Sequence, residues 1–154
     1  MKLLFVCSGN TCRSPMAEAI ARRLAAERGL GDLRMSSAGT GAVDGAPVSD
    51  GALLVAIENG LDVGGHRSRA LTREIVADAD LILVMGETHL DRVRAMGAGE
   101  KVMLLTDYAS HGSESRSISD PFGAGLEVYR QTFDELTTEI GRALDRLSAE
   151  RRRP

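Results

Sequence analysis

Cys7 and Arg13 are separated by Ser8-Gly9-Asn10-Thr11-Cys12, and Ser14-Pro15 follow at once. A thiol nucleophile and a fixed cation thus stand at the two ends of a short loop of small, turn-forming residues. Displacing a phosphoryl group needs an in-line nucleophile, charge stabilisation on the equatorial oxygens and a proton for the leaving group. The loop meets the first two needs. Backbone N–H groups from Ser8 to Ser14 converge on a tetrahedral anion if Gly9 and Asn10 adopt positive φ, which both residue types tolerate. Arg13 adds a planar, two-pronged partner for the oxygens. A helix starting at this point directs its N-terminal dipole at the same anion and favours a thiolate at Cys7. Ser14, on the far lip, is placed to donate a hydrogen bond to that sulfur and later to ease its departure from phosphorus. An isolated Cys-x5-Arg also fits a cysteine that ends a buried strand and a solvated arginine. Here the strand before it, the Gly-Asn within it, the Ser-Pro after it and the helix beyond it agree on the functional reading.

The proton must come from elsewhere, and Asp120 is the leading residue for that task, beside Pro121, which stiffens the backbone, and Phe122, an aromatic wall. Taken alone, Asp120-Pro121 is equally a simple turn. Cys12 has two readings as well. It is a small buried apolar residue, or it is a resolving thiol that captures an oxidised Cys7 as a reversible disulfide.

The elements that must hold these groups alternate between short strand-like and longer helix-like runs, the pattern of βαβ units around a parallel sheet. Leu3 to Val6 is the first strand. Pro15 suits the first turn of a helix in which Met16, Ile20 and Leu24 share a face and Gly29 is the stop. A strand from Leu33 to Ala38 and a helix from Val48 to Asn59 follow, then a short helix from Thr72 to Ala77. Leu81-Ile82-Leu83-Val84-Met85 is an uninterrupted apolar run that fits a strand buried on both faces. A helix from Gly86 to Met96, a strand from Val102 to Leu105 and a long helix from Leu126 to Leu147 complete the pattern. The last carries Leu126, Tyr129, Phe133, Leu136, Ile140, Leu144 and Leu147 as one core-facing stripe. Asp107 to Gly125, rich in Ser, Gly and His, reads as a long mobile loop.

With 154 residues and 43% hydrophobic composition the chain is expected to form one domain over 1–154. A net charge of −3 gives no broad basic footprint, so nucleic acid is not an expected partner. Arg151-Arg152-Arg153 reads as a frayed, solvated tail. The first apolar run stops at Ser8, too short for a secretory signal core, and no run approaches a membrane span. A cytoplasmic location without membrane association is the expectation. Two cysteines in such a chain point to catalytic or redox chemistry rather than a disulfide scaffold.

On Cys7-Ser8-Gly9-Asn10-Thr11-Cys12-Arg13-Ser14-Pro15 and Asp120-Pro121-Phe122-Gly123 the chain resembles the low-molecular-weight protein tyrosine phosphatases. Ser37-Ala38-Gly39-Thr40, His66-Arg67-Ser68-Arg69 and Ala79 to Met85 also look like segments of that family, so the resemblance spans nearly the whole length. It implies a four-stranded parallel sheet flanked by helices. It also implies a two-step mechanism needing neither metal nor cofactor, in which Cys7 forms a phosphocysteine and Asp120 serves first as acid and then as base. By the same resemblance Asn10, Ser14, Ser37 and His66 form the network that holds the loop. His66 is otherwise an ordinary surface histidine. The implied substrates are phosphorylated proteins. Thr11 resembles the arginine-directed branch, where many tyrosine-directed members carry a bulkier aliphatic residue, so phosphoarginine is placed ahead of phosphotyrosine. Arsenate reductases similar to this family relay a disulfide through further downstream cysteines, which are absent after Cys12. A phosphate-binding module without turnover would need neither Cys7 nor Asp120.

Overall fold

The computed structural model of the chain describes residues 1–152. Its strands are β1 (Lys2–Cys7), β2 (Arg34–Gly39), β3 (Leu81–Val84) and β4 (Val102–Leu104). Its helices are α1 (Arg13–Glu27), α2 (Asp50–Glu58), α3 (Arg73–Asp78), α4 (Glu87–Ala95), α5 (Leu105–Ala109) and α6 (Leu126–Arg151). The four strands form one parallel sheet in the order β2-β1-β3-β4. Among the described residues no helix is long and apolar enough to cross a membrane.

Period-two alternation explains why β1 and β3 read as continuous apolar runs. Leu3, Phe5 and Cys7 of β1 and Leu81 and Leu83 of β3 face one core, shared with α1, α2, α5 and α6. Leu4, Val6, Ile82 and Val84 face the other, beneath α3 and α4. Both faces of the sheet are therefore covered.

In this strand order the connection from β1 runs to one side and β3 lies on the other, so the chain reverses direction between β1 and β3. The crevice at the carboxyl ends of those two strands is where open α/β sheets place their ligands. Two segments emerge there, the loop after Cys7 and the turn from Met85 into α4.

The expected elements are all present, with informative differences. Leu105 leaves the expected fourth strand to start α5, and α5 takes up the beginning of the segment expected to be loop. The helix stops are as expected, with Gly29 and Gly60 at φ of 71° and 73° just beyond α1 and α2. The final helix continues past Leu147 to Arg151, whose guanidinium pairs with Asp32, so this residue belongs to a held helix end and not to a frayed tail. Arg153 lies outside the described residues.

Candidate active site

The loop from Cys7 to Ser14 is curled by fastening its carbonyls outward. The carbonyl oxygens of Cys7 and Ser8 accept from Thr40 N–H (3.0 Å) and Gly41 N–H (2.9 Å), just past the end of β2. That of Asn10 lies 2.9 Å from His66 Nε2, and that of Thr11 accepts from Ser49 N–H at 2.9 Å. A trans peptide points its N–H opposite to its C=O. Carbonyls drawn outward by four separate partners therefore turn the following N–H groups inward, around the Cys7 sulfur. Gly39 makes this possible, because a Cβ there would run into the Ser8 carbonyl and reach 2.9 Å from Asn10 N.

Only one loop residue takes the left-handed conformation. Asn10 has φ of 55°, whereas Gly9 stays out of that region, contrary to the expectation for it. The strain at Asn10 is matched by a side chain whose hydrogen-bonding capacity is filled. Its Nδ2 donates to Ser14 Oγ (2.8 Å) and Ser37 Oγ (3.0 Å), and its Oδ1 accepts from Arg69 N–H (3.0 Å). Ser37 in turn donates to Glu18 Oε1 at 2.8 Å. Ser14 Oγ, already an acceptor from Asn10, lies 2.9 Å from Cys7 Sγ, so its own proton is free to serve that sulfur. The expected network of Asn10, Ser14, Ser37 and His66 is thus assembled, with Glu18 and Arg69 added to it.

Arg13 is buried at the start of α1. Its Nη1 donates to Ile118 O at 2.9 Å and its Nη2 lies 3.5 Å from Asp120 Oδ2. Its Nε is buried with no partner among the described residues, and the residue lines the cavity above Cys7. A buried guanidinium with an unused donor beside inward-turned N–H groups is a receptor for an oxyanion.

Ile118 sets the second half of the site. Its N–H donates to Met85 O (2.8 Å), extending the end of β3, while its carbonyl takes Arg13. Thr106 in α5 clasps the same segment by exchanging bonds with Arg116, 2.6 Å and 3.1 Å, so the loop expected to be mobile is pinned two residues before Ile118. Beyond it Asp120 is half exposed and Phe122 is 73% exposed. Phe122 N–H donates to Asp120 Oδ1 at 3.1 Å, which orients the carboxylate. Cys7, Ser8, Gly9, Thr11, Cys12, Arg13, Asp120 and Phe122 together line one cavity of about 180 Å³.

Cys12 is buried but not in a purely apolar setting. Its sulfur lies 3.2 Å from Ser49 Oγ and 3.4 Å from Tyr129 OH, and Tyr129 OH donates to Ser49 Oγ at 3.1 Å. Burial, and then the bond to Cys12, push the Tyr129 hydroxyl up to about 12. The helical stripe marks Tyr129 as a core residue but says nothing of its hydroxyl, so this contact was not legible in the sequence.

His89, in the first turn of α4, was also missed. It is buried, and its Nε2 lies 2.8 Å from Ser8 Oγ. Burial, and then the nearby Arg13 charge, lower its pKa to about 4 against an opposing pull from Asp120. The signal that finds it is topological: it stands just past the carboxyl end of β3, on the crevice where the sheet order reverses.

A parallel sheet whose switch-point loop holds a buried thiol, a buried arginine and inward N–H groups, with a carboxylate on the rim, defines a cysteine-dependent phosphatase. A family model described as low molecular weight phosphotyrosine protein phosphatase matches residues 2–153, and the chain belongs to that family. It is similar to the protein-arginine-phosphatase of Geobacillus stearothermophilus, 39% identical over 151 residues that cover 97% of each protein. It is also 36% identical to the low molecular weight protein-tyrosine-phosphatase PtpB of Staphylococcus haemolyticus, over 92% of this chain and 96% of the relative. Among solved structures, the YwlE arginine phosphatase, as a C7S mutant with a phosphorylated active-site serine, superposes with a TM-score of 0.90 at 34% identity over 99% of both chains. The protein is a phosphatase and therefore a hydrolase.

Proposed function

We propose that this phosphatase acts on phosphoarginine side chains of proteins through a phosphocysteine on Cys7, residues 1–154 forming one catalytic domain that works in the cytoplasm. The observation that carries the mechanism is the inward-turned loop around Cys7 with Arg13 and Asp120 on its rim. The Cys7 thiolate attacks phosphorus, forming the S–P bond as the P–N bond to the guanidino group breaks. The Asp120 carboxyl delivers a proton to the departing nitrogen. Water then attacks the phosphocysteine, Asp120 takes its proton, the S–P bond breaks and inorganic phosphate leaves with the thiolate restored. The loop N–H groups and Arg13 hold the three equatorial oxygens through both steps, and Ser14 steadies the sulfur as it leaves.

Thr11 supports the arginine reading. It is a small polar residue in the cavity wall, leaving width for a planar guanidinium, and two curated relatives carry the name protein-arginine-phosphatase. Phosphotyrosine is the second reading, supported by the tyrosine-phosphatase names of other relatives. Hydrolysis of p-nitrophenyl phosphate by the parent and not by Cys7→Ser tests the mechanism. Comparison of kcat/KM on phosphoarginine and phosphotyrosine peptides, repeated with Thr11→Ile, tests the substrate. A parent that prefers phosphotyrosine tenfold, about 1.4 kcal/mol of transition-state binding, overturns the arginine reading.

The enzyme is also proposed to be redox-sensitive. Peroxide oxidises the Cys7 thiolate to a sulfenic acid, and attack by Cys12 forms the disulfide with loss of water. Cys12 must exchange its contacts with Ser49 and Tyr129 to do so. Recovery of activity by dithiothreitol after peroxide treatment is expected to fall in Cys12→Ser, and equal recovery overturns the claim.

A further inference from the structure

His89 has no task in the mechanism above, although it is 97% buried beside the cavity, its relative exposure being 3%. We propose that His89 is a positioning residue of the phosphate site: its Nε2–H holds the Ser8 hydroxyl so that the Ser8 proton points into the cavity as an additional donor to a phosphoryl oxygen. The proposal rests on the phosphatase reading of the same cavity and names a residue in it that the loop motif does not contain.

Three observations carry it. Ser8 Oγ lies 2.8 Å from His89 Nε2, and Ser8 lines the cavity together with Cys7, Arg13 and Asp120. His89 Nδ1 is buried and has no partner among the described residues. An orphaned N–H is the rarer defect in protein interiors, so the ring places its proton on Nε2, where a partner exists, and leaves the lone pair at Nδ1. Ser8 Oγ is then the acceptor of that bond, and its own proton remains for the cavity. Last, the ring is fixed in place. Gly86 caps α4 with Leu90 N–H bonded to its carbonyl at 3.1 Å, and a Cβ at Gly86 would meet Nδ1 at 3.5 Å and Ser117 Oγ at 3.2 Å. The turn from β3 therefore seats the imidazole between the loop after Cys7 and the segment that carries Asp120.

The test is a double-mutant cycle read by inorganic phosphate binding to the full chain, measured by calorimetry, with kcat and KM on p-nitrophenyl phosphate alongside. Ser8→Ala and His89→Phe are each expected to weaken phosphate binding about tenfold, the scale of one hydrogen bond, and the double variant is expected to lose no more than either. His89→Gln, whose amide Nε2–H reaches the same position, is expected to restore most of the loss seen with Phe. Losses that multiply, a Ser8→Ala variant that binds phosphate like the parent, or a Gln variant as weak as the Phe variant overturns the proposal. If His89→Phe does not fold, the comparison of Ser8→Ala and His89→Gln with the parent decides by the same criteria. Phosphate binding that follows this pattern without turnover would instead count against the phosphatase reading, which keeps the two failures apart.

Discussion

Around Cys7 the polar groups are held by partners from several elements, whereas around Asp120 the backbone is held and the side chains are left in the open. Asn10, Ser14 and Ser37 are buried and fully partnered, and the loop carbonyls are tied to the end of β2, to His66 and to Ser49. The segment with Asp120 is fastened at Arg116 and Ile118, then presents a half-exposed carboxylate and an exposed Phe122. The two halves meet where Arg13 touches both Ile118 and Asp120. A dianion is the same in every substrate, so its receptor gains from being rigid and prepaid in strain. The leaving group varies, and the part that protonates it stands on the adaptable side.

The strongest way to break this contrast is to remove the nucleophile. Cys7→Ser is expected to lower kcat by on the order of 10⁴-fold or more on every substrate, with the urea unfolding midpoint little changed because the Ser14 contact can be kept. Turnover above a small fraction of the parent rate would mean that the loop is not the reaction centre. Asp120→Asn is next. Steady-state rates are expected to fall by about 10² to 10³-fold on phosphoarginine peptides and far less on p-nitrophenyl phosphate, whose leaving group departs without a proton. Equal losses on both would place Asp120 with the receptor and dissolve the division between the two halves.

His89 bonds the Ser8 hydroxyl on one half and feels the Asp120 charge on the other, and so reports on their coupling through pH. An ordinary histidine titrates near 6.5, while this one is held at about 4 by burial and by Arg13. Between those values the unfolded chain binds the proton and the folded chain does not. Its contribution to stability is therefore complete above pH 6.5 and is lost as pH falls toward 4, by up to about 3 kcal/mol. Urea midpoints at pH 7 and pH 4.5 should differ by less in His89→Gln than in the parent. Asp120→Asn removes a charge that raises this pKa, so the imidazole should titrate lower still by NMR. An unmoved titration would show that the carboxylate does not act on the ring.

What the sequence made legible follows the same division. The loop after Cys7 is local: strand, turn residues, Ser-Pro and helix lie within one stretch, and their agreement was enough to read it. Even there only one of the two residues expected to be left-handed is so: Asn10 takes that conformation and Gly9 does not, and what holds Asn10 in it is a side chain filled by Ser14, Arg69 and Ser37, the last two far along the chain. The continuous run of β3 was clear because both its faces are covered. The five-residue α5 was not, since Leu105 to Ala109 is too short to show a helical period, and the Ser- and Gly-rich segment that follows hides the clasp between Thr106 and Arg116. His89 was invisible for a different reason. Its partner is Ser8, on the neighbouring strand's loop, and only the strand order brings the two together.

Tyr129 gives the finest test of the rigid half, because it supports the loop from outside the cavity. Its hydroxyl reaches Cys12 Sγ and Ser49 Oγ, and Ser49 N–H holds the Thr11 carbonyl. Tyr129→Phe keeps the ring, which Gly51 accommodates by lacking a Cβ that would come within 2.5 Å of it. It removes only the hydroxyl, so stability is expected to fall by about 1 kcal/mol in urea unfolding, with kcat changed less than about twofold. The Thr11 carbonyl would still be held by the Ser49 backbone, and the N–H groups around Cys7 would keep their direction. A large drop in kcat at unchanged stability would mean that the loop owes its shape to the Cys12 side as much as to Asn10, and that the receptor is less overdetermined than its hydrogen bonds suggest.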